Sequence, residues 1–502
     1  MSEPWPEIIG LVNWPAVAVL FPLAGAAMAF IVPRRAAVLS AVVTAATAAA
    51  AAAMISQMAP GEVREQQLGG WTAPLGITWK VDGLTVTMIA MTALVGLGVT
   101  LHVCLGQRRQ LAAGDRGQAG IDAFWPLWLL LLAGLNALYL SADLFNLYVT
   151  LELVGLAAVG LTALPGKPEA LAAAMRYLFV SLLASLLYLL GVTLIYAQYG
   201  ALDIAVLRNA LRDDPASQLA FAVMFAGLAL KSALFPLHFW LPPAHGNAAP
   251  PVSAILSALV VKASLYIMLR LWIELFEPAD IAREATGILL GALGAGAVLW
   301  GSLQALRAER MKLLVAYSTV AQVGYVFLFF PLARAAPEAA LGGAVYLLLA
   351  HAFAKAALFL TCEQVYRSLG HDEVRRFPTS PALPRLTQIT IVLAGVSLVG
   401  FPPSGGFVGK WLLLSASLES GLSPWTGVLL VGTLLSGAAM LRLIGSFFVL
   451  HPDNHGAKAG DLSATAQRTS QIVPLVLAAI AILLGLGAAI PLSLIAPVGA
   501  LP

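Results

Sequence analysis

Charged residues are scarce in this sequence, and their scarcity excludes whole classes of protein. Only 11% of the 502 residues are charged and 60% are hydrophobic, whereas soluble domains carry about 25% charged and about 45–50% apolar residues. The mean hydropathy is +0.88. A water-soluble enzyme is therefore excluded, and a net charge of +3 is too small to indicate nucleic acid as a partner. The composition is that of a polytopic membrane protein.

Cysteine is almost absent, and the common catalytic motifs are missing as well. Cys104 and Cys362 lie in separate apolar stretches without partners at metal-ligand spacing, which excludes an iron–sulfur site or a zinc finger. The sequence contains no GxGxxG followed by an acidic residue, no GxxxxGK(S/T) and no HExxH. We therefore expect no cofactor, no metal and no covalent catalysis in this chain. Whether it serves a larger redox enzyme stays open.

Long hydrophobic runs fill most of the chain. A bilayer core takes about 20 apolar residues as helix, because the backbone polar groups must pair within the segment. On this criterion the sequence predicts an all-α integral membrane protein, with one polytopic domain over residues 1–502. The fourteen predicted spans, numbered in chain order, cover residues 9–32, 36–58, 83–106, 122–140, 143–164, 172–199, 217–242, 250–276, 283–305, 311–333, 338–366, 386–416, 424–450 and 472–496.

Basic residues are distributed unevenly between the loops that join these spans. The odd-numbered loops hold or border 15 lysines and arginines, and the even-numbered loops hold or border 6. By the positive-inside rule the odd loops are cytoplasmic and both termini lie on the outer side. The acidic N-terminus, MSEPWPE, predicts a retained first helix and not a cleaved signal. We expect a multi-pass protein of the cell membrane.

Several ionisable residues lie inside the spans. Lys231, Lys262, Lys355 and Glu152 are close to the middle of spans 7, 8, 11 and 5, and Lys410 lies in span 12. Each central charge opposes insertion by roughly 2.5–3.5 kcal/mol, so packing alone does not explain these residues. Structural ion pairs or snorkelling side chains are one interpretation. The similar depth of the residues favours another, a lateral proton relay along the membrane midplane.

Other ionisable residues receive weaker interpretations. His351 precedes Lys355 by four residues, so both lie on one helix face and join the predicted relay. Arg176 and Arg270 lie near span ends, where long side chains reach the interface. His238 and His245 flank the proline break of span 7 at its cytoplasmic end, where they either admit protons or are merely solvated. Asp143 is an outer uptake group or, as we favour, a helix cap.

Proline interrupts spans 7 and 12. Span 7 contains Pro236 in ALKSALFPLHFWLPP, and span 12 contains SLVGFPPSGGFVGKW, with Pro402, Pro403, Gly405 and Gly406. Proline removes a backbone donor, and unwound backbone at membrane depth survives only where it lines protein or water. Two broken helices in corresponding positions therefore predict a transport site, although two unrelated kinks are the simpler alternative.

The spacing of these features predicts an internal repeat. Phe235-Pro236 and Phe401-Pro402 are 166 residues apart, and Tyr177 and Tyr346 begin similar segments 169 residues apart. We expect spans 4–8 and 9–13 to form two five-helix repeats, which are inverted because five is odd. The predicted subdivision is 1–121 for spans 1–3, 122–276 and 283–450 for the repeats, and 451–502 for span 14.

These segments together resemble the antiporter-like subunits shared by Mrp-type sodium/proton antiporters and respiratory complex I. The matching stretches are DLFNLYVTLELVGL (143–156), KSALFPLHFWLPPAHGNAAPPVSAILSALVVKASLY (231–266), KLLVAYSTVAQVGYV (312–326), HAFAKAALF (351–359) and GFPPSGGFVGKW (400–411). The resemblance implies fourteen helices with two inverted repeats. It also implies roles for particular residues, namely a Glu152–Lys231 pair, a connecting Lys262, a relay of His351 and Lys355, and a terminal Lys410.

Within the family, GGWTAPLGITWKVDGL and DLFNLY look most like the D subunit of Mrp-type antiporters, although HGNAAPP departs from the commoner loop pattern. The resemblance implies an ion-translocating subunit of a multi-subunit antiporter, with other membrane subunits, protons, lipid and, by resemblance alone, sodium as partners. A proton-pumping N-like or M-like subunit of NADH–quinone oxidoreductase, or a membrane subunit of a hydrogenase-linked complex, is the alternative. A scaffold that conducts nothing is a third.

Overall fold

The computed structural model describes residues 12–112, 119–281, 283–377, 383–421, 423–448 and 464–495. All structural statements below concern these residues. The predicted start of span 1, both termini and residues 451–463 of the last predicted loop lie outside them. The prediction that both termini face outward therefore stays a prediction.

Helices account for every predicted span. Within the described residues, eleven continuous helices are long and apolar enough to cross a membrane, and a pair bent by 73°, Ser470–Leu486 with Ala489–Ile495, adds a twelfth. Spans 7 and 12 supply the remaining two segments, and each is divided at its proline-rich region. The all-α membrane fold is confirmed.

The first six spans begin and end close to the predicted residues. Their helices are Trp14–Ile31, Ala36–Ser56, Gly83–Ala112, Ala119–Leu140, Leu144–Ala163 and Pro168–Tyr199. Strands β1 (Arg64–Gln67) and β2 (Thr78–Val81) form an antiparallel hairpin between spans 2 and 3, with Arg64 opposite Val81. The hairpin was not predicted, because four-residue strands leave little periodicity in the sequence.

The later spans follow the same pattern, with one local departure. Span 8 runs over Pro250–Phe276, and two of its turns, Leu256–Val260 and Trp272–Phe276, are π-helical. A short helix, Ile204–Ala210, precedes span 7. The remaining spans are the helices Glu284–Arg307 (span 9), Met311–Phe327 continued by Phe329–Leu332 (span 10), Pro337–Leu369 (span 11) and Ser423–Phe448 (span 13).

Both proline-rich regions unwind the helix, as predicted. In span 7 the helix Pro215–Lys231 ends and resumes as a 3-10 turn at Leu237–Trp240 and an α-helix at Leu241–Asn247. In span 12 the helix Arg385–Val399 ends at Gly400, whose φ of 86° favours glycine.

The second half of span 12 restarts at Gly405–Glu419, so Pro402 and Pro403 lie in the unwound segment and Gly405 and Gly406 open the new helix. A side chain at Gly406 would overlap the carbonyl oxygen of Ser397. Glycine therefore allows the two half-helices to pack closely.

The centre of the molecule is formed by spans 8, 10 and 11. In spans 8 and 11 all 18 residues of the most apolar stretch are buried, and in span 10 nearly all of them are. In spans 1, 2 and 13 fewer than half of these residues are buried. The exposed faces of those peripheral spans are apolar, as lipid contact requires. Side chains on spans 8 and 11 therefore face protein and not lipid.

Candidate functional site

The buried charges of the first repeat meet between spans 5, 6 and 7. The Lys231 Nζ lies 3.5 Å from the Glu152 Oε2 and donates a hydrogen bond of 2.6 Å to the Ser185 Oγ. Lys231 is 6% exposed and the Glu152 side chain 17%. One ammonium group thus has a carboxylate from span 5 and a hydroxyl from span 6 within reach.

The helix break determines where Lys231 sits. Lys231 is the last residue of its half-helix, and the Trp240 indole donates a hydrogen bond of 3.0 Å to the carbonyl oxygen of Leu230, which the break has left open. Trp240 also stacks on Tyr177 of span 6, with ring centroids 4.5 Å apart. The unwound backbone is therefore satisfied by a side chain from beyond the break, as burial demands.

Lys262 and His351 link the two repeats at the centre of the molecule. The Lys262 Nζ lies 2.9 Å from the His351 Nδ1 and donates to the carbonyl oxygen of Ser257. That carbonyl belongs to the π-helical turn Leu256–Val260, and such turns often occur at functional sites. Lys262 is fully buried and His351 is 5% exposed. The contact joins span 8 of the first repeat to span 11 of the second.

Lys355 and Lys410 are held by neutral groups. The Lys355 Nζ donates to the Val315 carbonyl at 2.6 Å and to the Ser318 Oγ, both on span 10. The Lys410 Nζ donates to the Val399 carbonyl at 2.9 Å and to the Thr433 Oγ1 at 3.3 Å. It also lies 4.2 Å from the ring centroid of Tyr325.

A single carboxylate serves this set of lysines. In the part of the chain that the structure describes, Glu152 forms an ion pair with Lys231, and no ion pair joins Lys262, Lys355 or Lys410 to an acid. The structure places all the predicted relay residues inside the protein. It brings Glu152 to Lys231 and Lys262 to His351 in direct contact. Lys355 and Lys410 have other partners, so water would have to bridge the remaining intervals.

The predicted uptake residues differ in their surroundings. His245 is fully buried, and neither ring nitrogen has a hydrogen-bond partner among the described residues. His238 is half-buried and stacks on Phe235. A cavity of about 590 Å³, lined by Asn247 and Lys312 among others, opens close to His245 on the side of the odd-numbered loops.

Asp143 caps span 5, as we favoured. Its carboxylate accepts a hydrogen bond of 2.7 Å from the Asn146 backbone N–H. Burial raises the pKa of Asp143 above its usual value, although its backbone hydrogen bonds act in the opposite direction. The capping geometry accounts for the residue without assigning it a part in proton uptake.

Two basic residues were interpreted incorrectly or missed. Arg270 does not reach the interface, because it is 4% exposed and forms ion pairs with Asp82 and Glu274. Lys312, counted above among loop residues, is 7% exposed and donates to the Ala248 carbonyl. Span-end positions do not reveal burial, since the folding of loop 2 over the end of span 8 is a tertiary event.

Hydroxyl partners were also missed. Ser185, Ser318 and Thr433 each accept a hydrogen bond from a buried lysine. Serine and threonine are common in membrane helices, where they also bond to their own backbone. Only their position beside a lysine distinguishes them, and no sequence signal gives that position.

Comparison with known proteins gives consistent matches. A family model described as "NADH:quinone oxidoreductase/Mrp antiporter, TM" matches residues 141–436. The chain is 36% identical over 402 residues to the N subunit of NADH-quinone oxidoreductase from Desulforudis audaxviator (strain MP104C), covering 80% of this chain and 78% of that relative. It is 29% identical over 390 residues to the D subunit of the Na(+)/H(+) antiporter from Alkalihalophilus pseudofirmus (strain ATCC BAA-2126 / JCM 17055 / OF4), covering 76% of each.

The fold is also similar to that of a solved structure. A chain of the Mrp complex from Dietzia sp. DQ12-45-1b matches with a TM-score of 0.84 and 26% identity, covering 96% of each chain. The matches thus include both antiporter and oxidoreductase subunits.

Proposed function

The chain belongs to the NADH:quinone oxidoreductase/Mrp antiporter family of membrane subunits, and on that premise we propose that it translocates protons as one subunit of a multi-subunit sodium/proton antiporter. The observation that carries the proposal is the row of buried charges on spans 5, 7, 8, 11 and 12. A buried charge at membrane depth is costly, so its presence indicates a functional role. The antiporter assignment rests on the D-subunit relative and on the structural likeness to the Mrp complex.

The geometry supports a relay in which charge moves between neighbours. Burial disfavours a charged lysine and a nearby carboxylate favours it, so Glu152 stabilises a proton on Lys231. Ser185 offers the ammonium a second, neutral partner at 2.6 Å. When Lys231 turns from Glu152 to Ser185, the carboxylate is left unpaired and the charge balance facing Lys262 changes. The proposed sequence then runs from Lys262 through His351 to Lys355 and Lys410.

We also propose that protons enter from the side of the odd-numbered loops. The cavity of about 590 Å³ brings solvent close to His245, and both of that ring's nitrogens are without partners in the described structure. A buried imidazole of this kind needs water to satisfy it. The positive-inside rule assigns this side to the cytoplasm, and we propose the cell membrane as the location.

The second candidate is a proton-pumping subunit of NADH–quinone oxidoreductase. The N-subunit relative, at 36% identity, favours it. The relay would be the same, but electron transfer in partner subunits would supply the energy. Purification of the native complex discriminates between the two, because flavin or iron–sulfur subunits would copurify with an oxidoreductase and only small membrane subunits with an antiporter. The D-subunit assignment within the family depends on this result.

Ion flux in vesicles that contain the whole complex tests the relay. We expect Lys231→Ala and Lys410→Ala to remove most proton flux while the complex still assembles. Arg208→Ala is the matched control, since it removes an exposed basic residue from the loop between spans 6 and 7. Normal assembly with normal flux in both lysine variants would contradict the proposal and favour a scaffold.

A further inference from the structure

A second cavity opens on the side of the even-numbered loops, at the C-terminal end of span 8. Its volume is about 360 Å³, and its lining includes Asp82, Glu274 and Arg270 together with residues from loops 2, 8 and 10. The positive-inside rule makes this the outer side. The cavity is therefore the point at which outer solvent comes nearest to span 8.

Three charged side chains of the lining, Asp82, Arg270 and Glu274, form a cluster with Lys80, which is not part of the lining. The carboxylates of Glu62, Glu277 and Glu338 also line the cavity. Arg270 donates to both carboxylate oxygens of Asp82, at 3.0 Å for Oδ1, and lies 2.5 Å from the Glu274 Oε1. The Lys80 Nζ lies 2.8 Å from the other Glu274 oxygen. Two cations thus face two anions, and the cluster is neutral. The parts of the chain it joins are β2, the start of span 3 and the end of span 8.

The charges hold one another in the ionised state. Burial by itself would raise the pKa of Asp82, but the Arg270 charge and its hydrogen bonds outweigh burial and keep that pKa below its usual value. An arginine guanidinium remains protonated at any physiological pH. Arg270 therefore cannot pass a proton on, unlike a lysine or a histidine. The cluster is neutral as a whole, but its guanidinium is the member that contacts Tyr266 and Thr85 on the way to Lys262. A fixed positive charge at that point repels protons and other cations.

Behind Arg270 the way toward Lys262 is filled by polar and aromatic groups. The Arg270 Nη2 donates to the Tyr266 hydroxyl at 2.6 Å and to the Thr85 Oγ1 at 2.8 Å. The Tyr266 hydroxyl donates to the Tyr139 carbonyl at 2.6 Å, and the two tyrosine rings meet edge to face. These side chains are buried, so the outer cavity ends at the guanidinium.

Span 8 aligns this cluster with the relay. Lys262, Tyr266 and Arg270 are spaced four residues apart and share one helix face. Lys262 lies about 12 Å from Arg270 along the axis, at about 1.5 Å per residue. Its ammonium contacts Ser257 and His351, toward the opposite end of the span. A direct route from Lys262 to the outer cavity would bypass His351, Lys355 and Lys410.

We propose that Arg270, held by Asp82 and Glu274, is an electrostatic barrier that closes the outer side of the relay at Lys262. The barrier obliges protons to continue laterally to His351, Lys355 and Lys410. This inference rests on the proposed function, because a barrier to protons at Arg270 matters only if protons move through Lys262. Arg270 acts through its fixed charge and transfers no proton itself.

Passive proton leak tests the barrier. Vesicles that contain the whole complex are given an inward proton gradient without a gradient of the coupled cation, and the decay of that gradient is measured. We expect Arg270→Gln to increase the leak several-fold while the complex assembles. We expect Arg270→Lys to restore a low leak, because the carboxylates of Asp82 and Glu274 would keep the ammonium charged. Arg334→Gln is the matched control, since it breaks an exposed ion pair with Asp280 on the same side of the molecule.

Each outcome of the leak measurement either supports or overturns the barrier at Arg270. Normal assembly of Arg270→Gln with an unchanged leak overturns the barrier. If that variant does not assemble, the double variant Arg270→Gln/Asp82→Asn is measured instead, because it leaves no unpaired charge at the Arg270–Asp82 contact. An assembled double variant with a low leak overturns the barrier, and so does failure of both variants to assemble, since the cluster would then be a folding requirement. Leak through Arg270→Gln together with normal flux in Lys231→Ala would retain the barrier and remove the proposed relay through Lys231.

Discussion

The Lys231 ammonium has two partners of different chemical kind, and in the proposed relay the contrast between them would let one residue both hold and release charge. Glu152 Oε2 lies 3.5 Å away and Ser185 Oγ 2.6 Å away. The carboxylate stabilises a proton on the lysine, whereas the hydroxyl can accept a hydrogen bond from a charged or a neutral amine. The proposed switch at Lys231 would therefore depend on Ser185, a residue that carries no charge.

Substitution of Ser185 tests that dependence. Hydrogen bonds to charged groups contribute about 1.5–3 kcal/mol, so Ser185→Ala should reduce proton flux by about tenfold or more without loss of assembly. Ser181→Ala is the matched control, because Ser181 lies one turn earlier on span 6 and its Oγ has no partner among the described residues. Flux in reconstituted vesicles is the measurement. Equal effects of the two substitutions would show that hydroxyl content, and not the contact with Lys231, matters.

Asp143 separates helix capping from proton uptake. Asparagine accepts the same backbone hydrogen bond without a charge, so Asp143→Asn should keep both stability and flux. Asp143→Ala should lower stability by about 0.5–2 kcal/mol, measured by thermal denaturation of the purified complex. A loss of flux in Asp143→Asn, with stability retained, would instead assign Asp143 to uptake.

At the scale of the element, both broken spans satisfy their open carbonyls with side chains from elsewhere. In span 7 the Trp240 indole serves Leu230. In span 12 the Gln322 side chain serves Leu398 at 2.9 Å, and Lys410 serves Val399. The two breaks are thus alike in position but differ in chemistry, since only the second uses a relay lysine to complete its backbone.

Trp240→Phe tests how much the hydrogen bond from the Trp240 indole to the Leu230 carbonyl contributes to stability. Phenylalanine keeps an aromatic ring against Tyr177 but cannot donate to Leu230, and an unsatisfied buried acceptor costs about 1–3 kcal/mol. We expect a lower denaturation temperature of the complex, with a smaller effect on flux. Trp71→Phe in the exposed loop between β1 and β2 serves as the control. An unchanged denaturation temperature in Trp240→Phe would mean that water replaces the indole.

The elements themselves were largely predictable, and the reasons for the exceptions are physical. Spans 5, 8 and 11 were found because a bilayer demands about 20 apolar residues, and Lys262 and Lys355 stood out because charge there is costly. The π-helical turn Leu256–Val260 left no mark, since its residues are as apolar as those of the α-helix around it. The Arg270–Asp82 contact joins positions 188 residues apart, and hydropathy carries no information about such pairing.

At the scale of the whole molecule, the two repeats communicate through few polar contacts. Lys262 and His351 provide the direct one on the relay, and the Ser257 and Thr319 hydroxyls, 2.8 Å apart, lie beside it. Each of the two large cavities draws its loop residues from one set of loops, odd or even. Solvent thus approaches the interior from both sides at different places. In the proposed relay, charge that enters the first repeat would cross the Lys262–His351 contact to reach the second.

If the proposed relay crosses between the repeats only at the Lys262–His351 contact, it predicts how combined substitutions affect proton flux. If Lys231 and His351 act in series, Lys231→Ala already stops transport, and adding His351→Ala should lower the residual proton flux little further. Residues that act as a unit show such non-additivity, whereas independent sites show nearly additive free energies. Proton flux is measured through the wild type, each single variant and the double variant, and is normalised to the amount of assembled complex. The control double variant combines Lys231→Ala with Arg208→Ala. Flux losses that multiply in the double variant would mean that each repeat conducts on its own, and the Lys262–His351 contact would then be a structural bond between two separate paths.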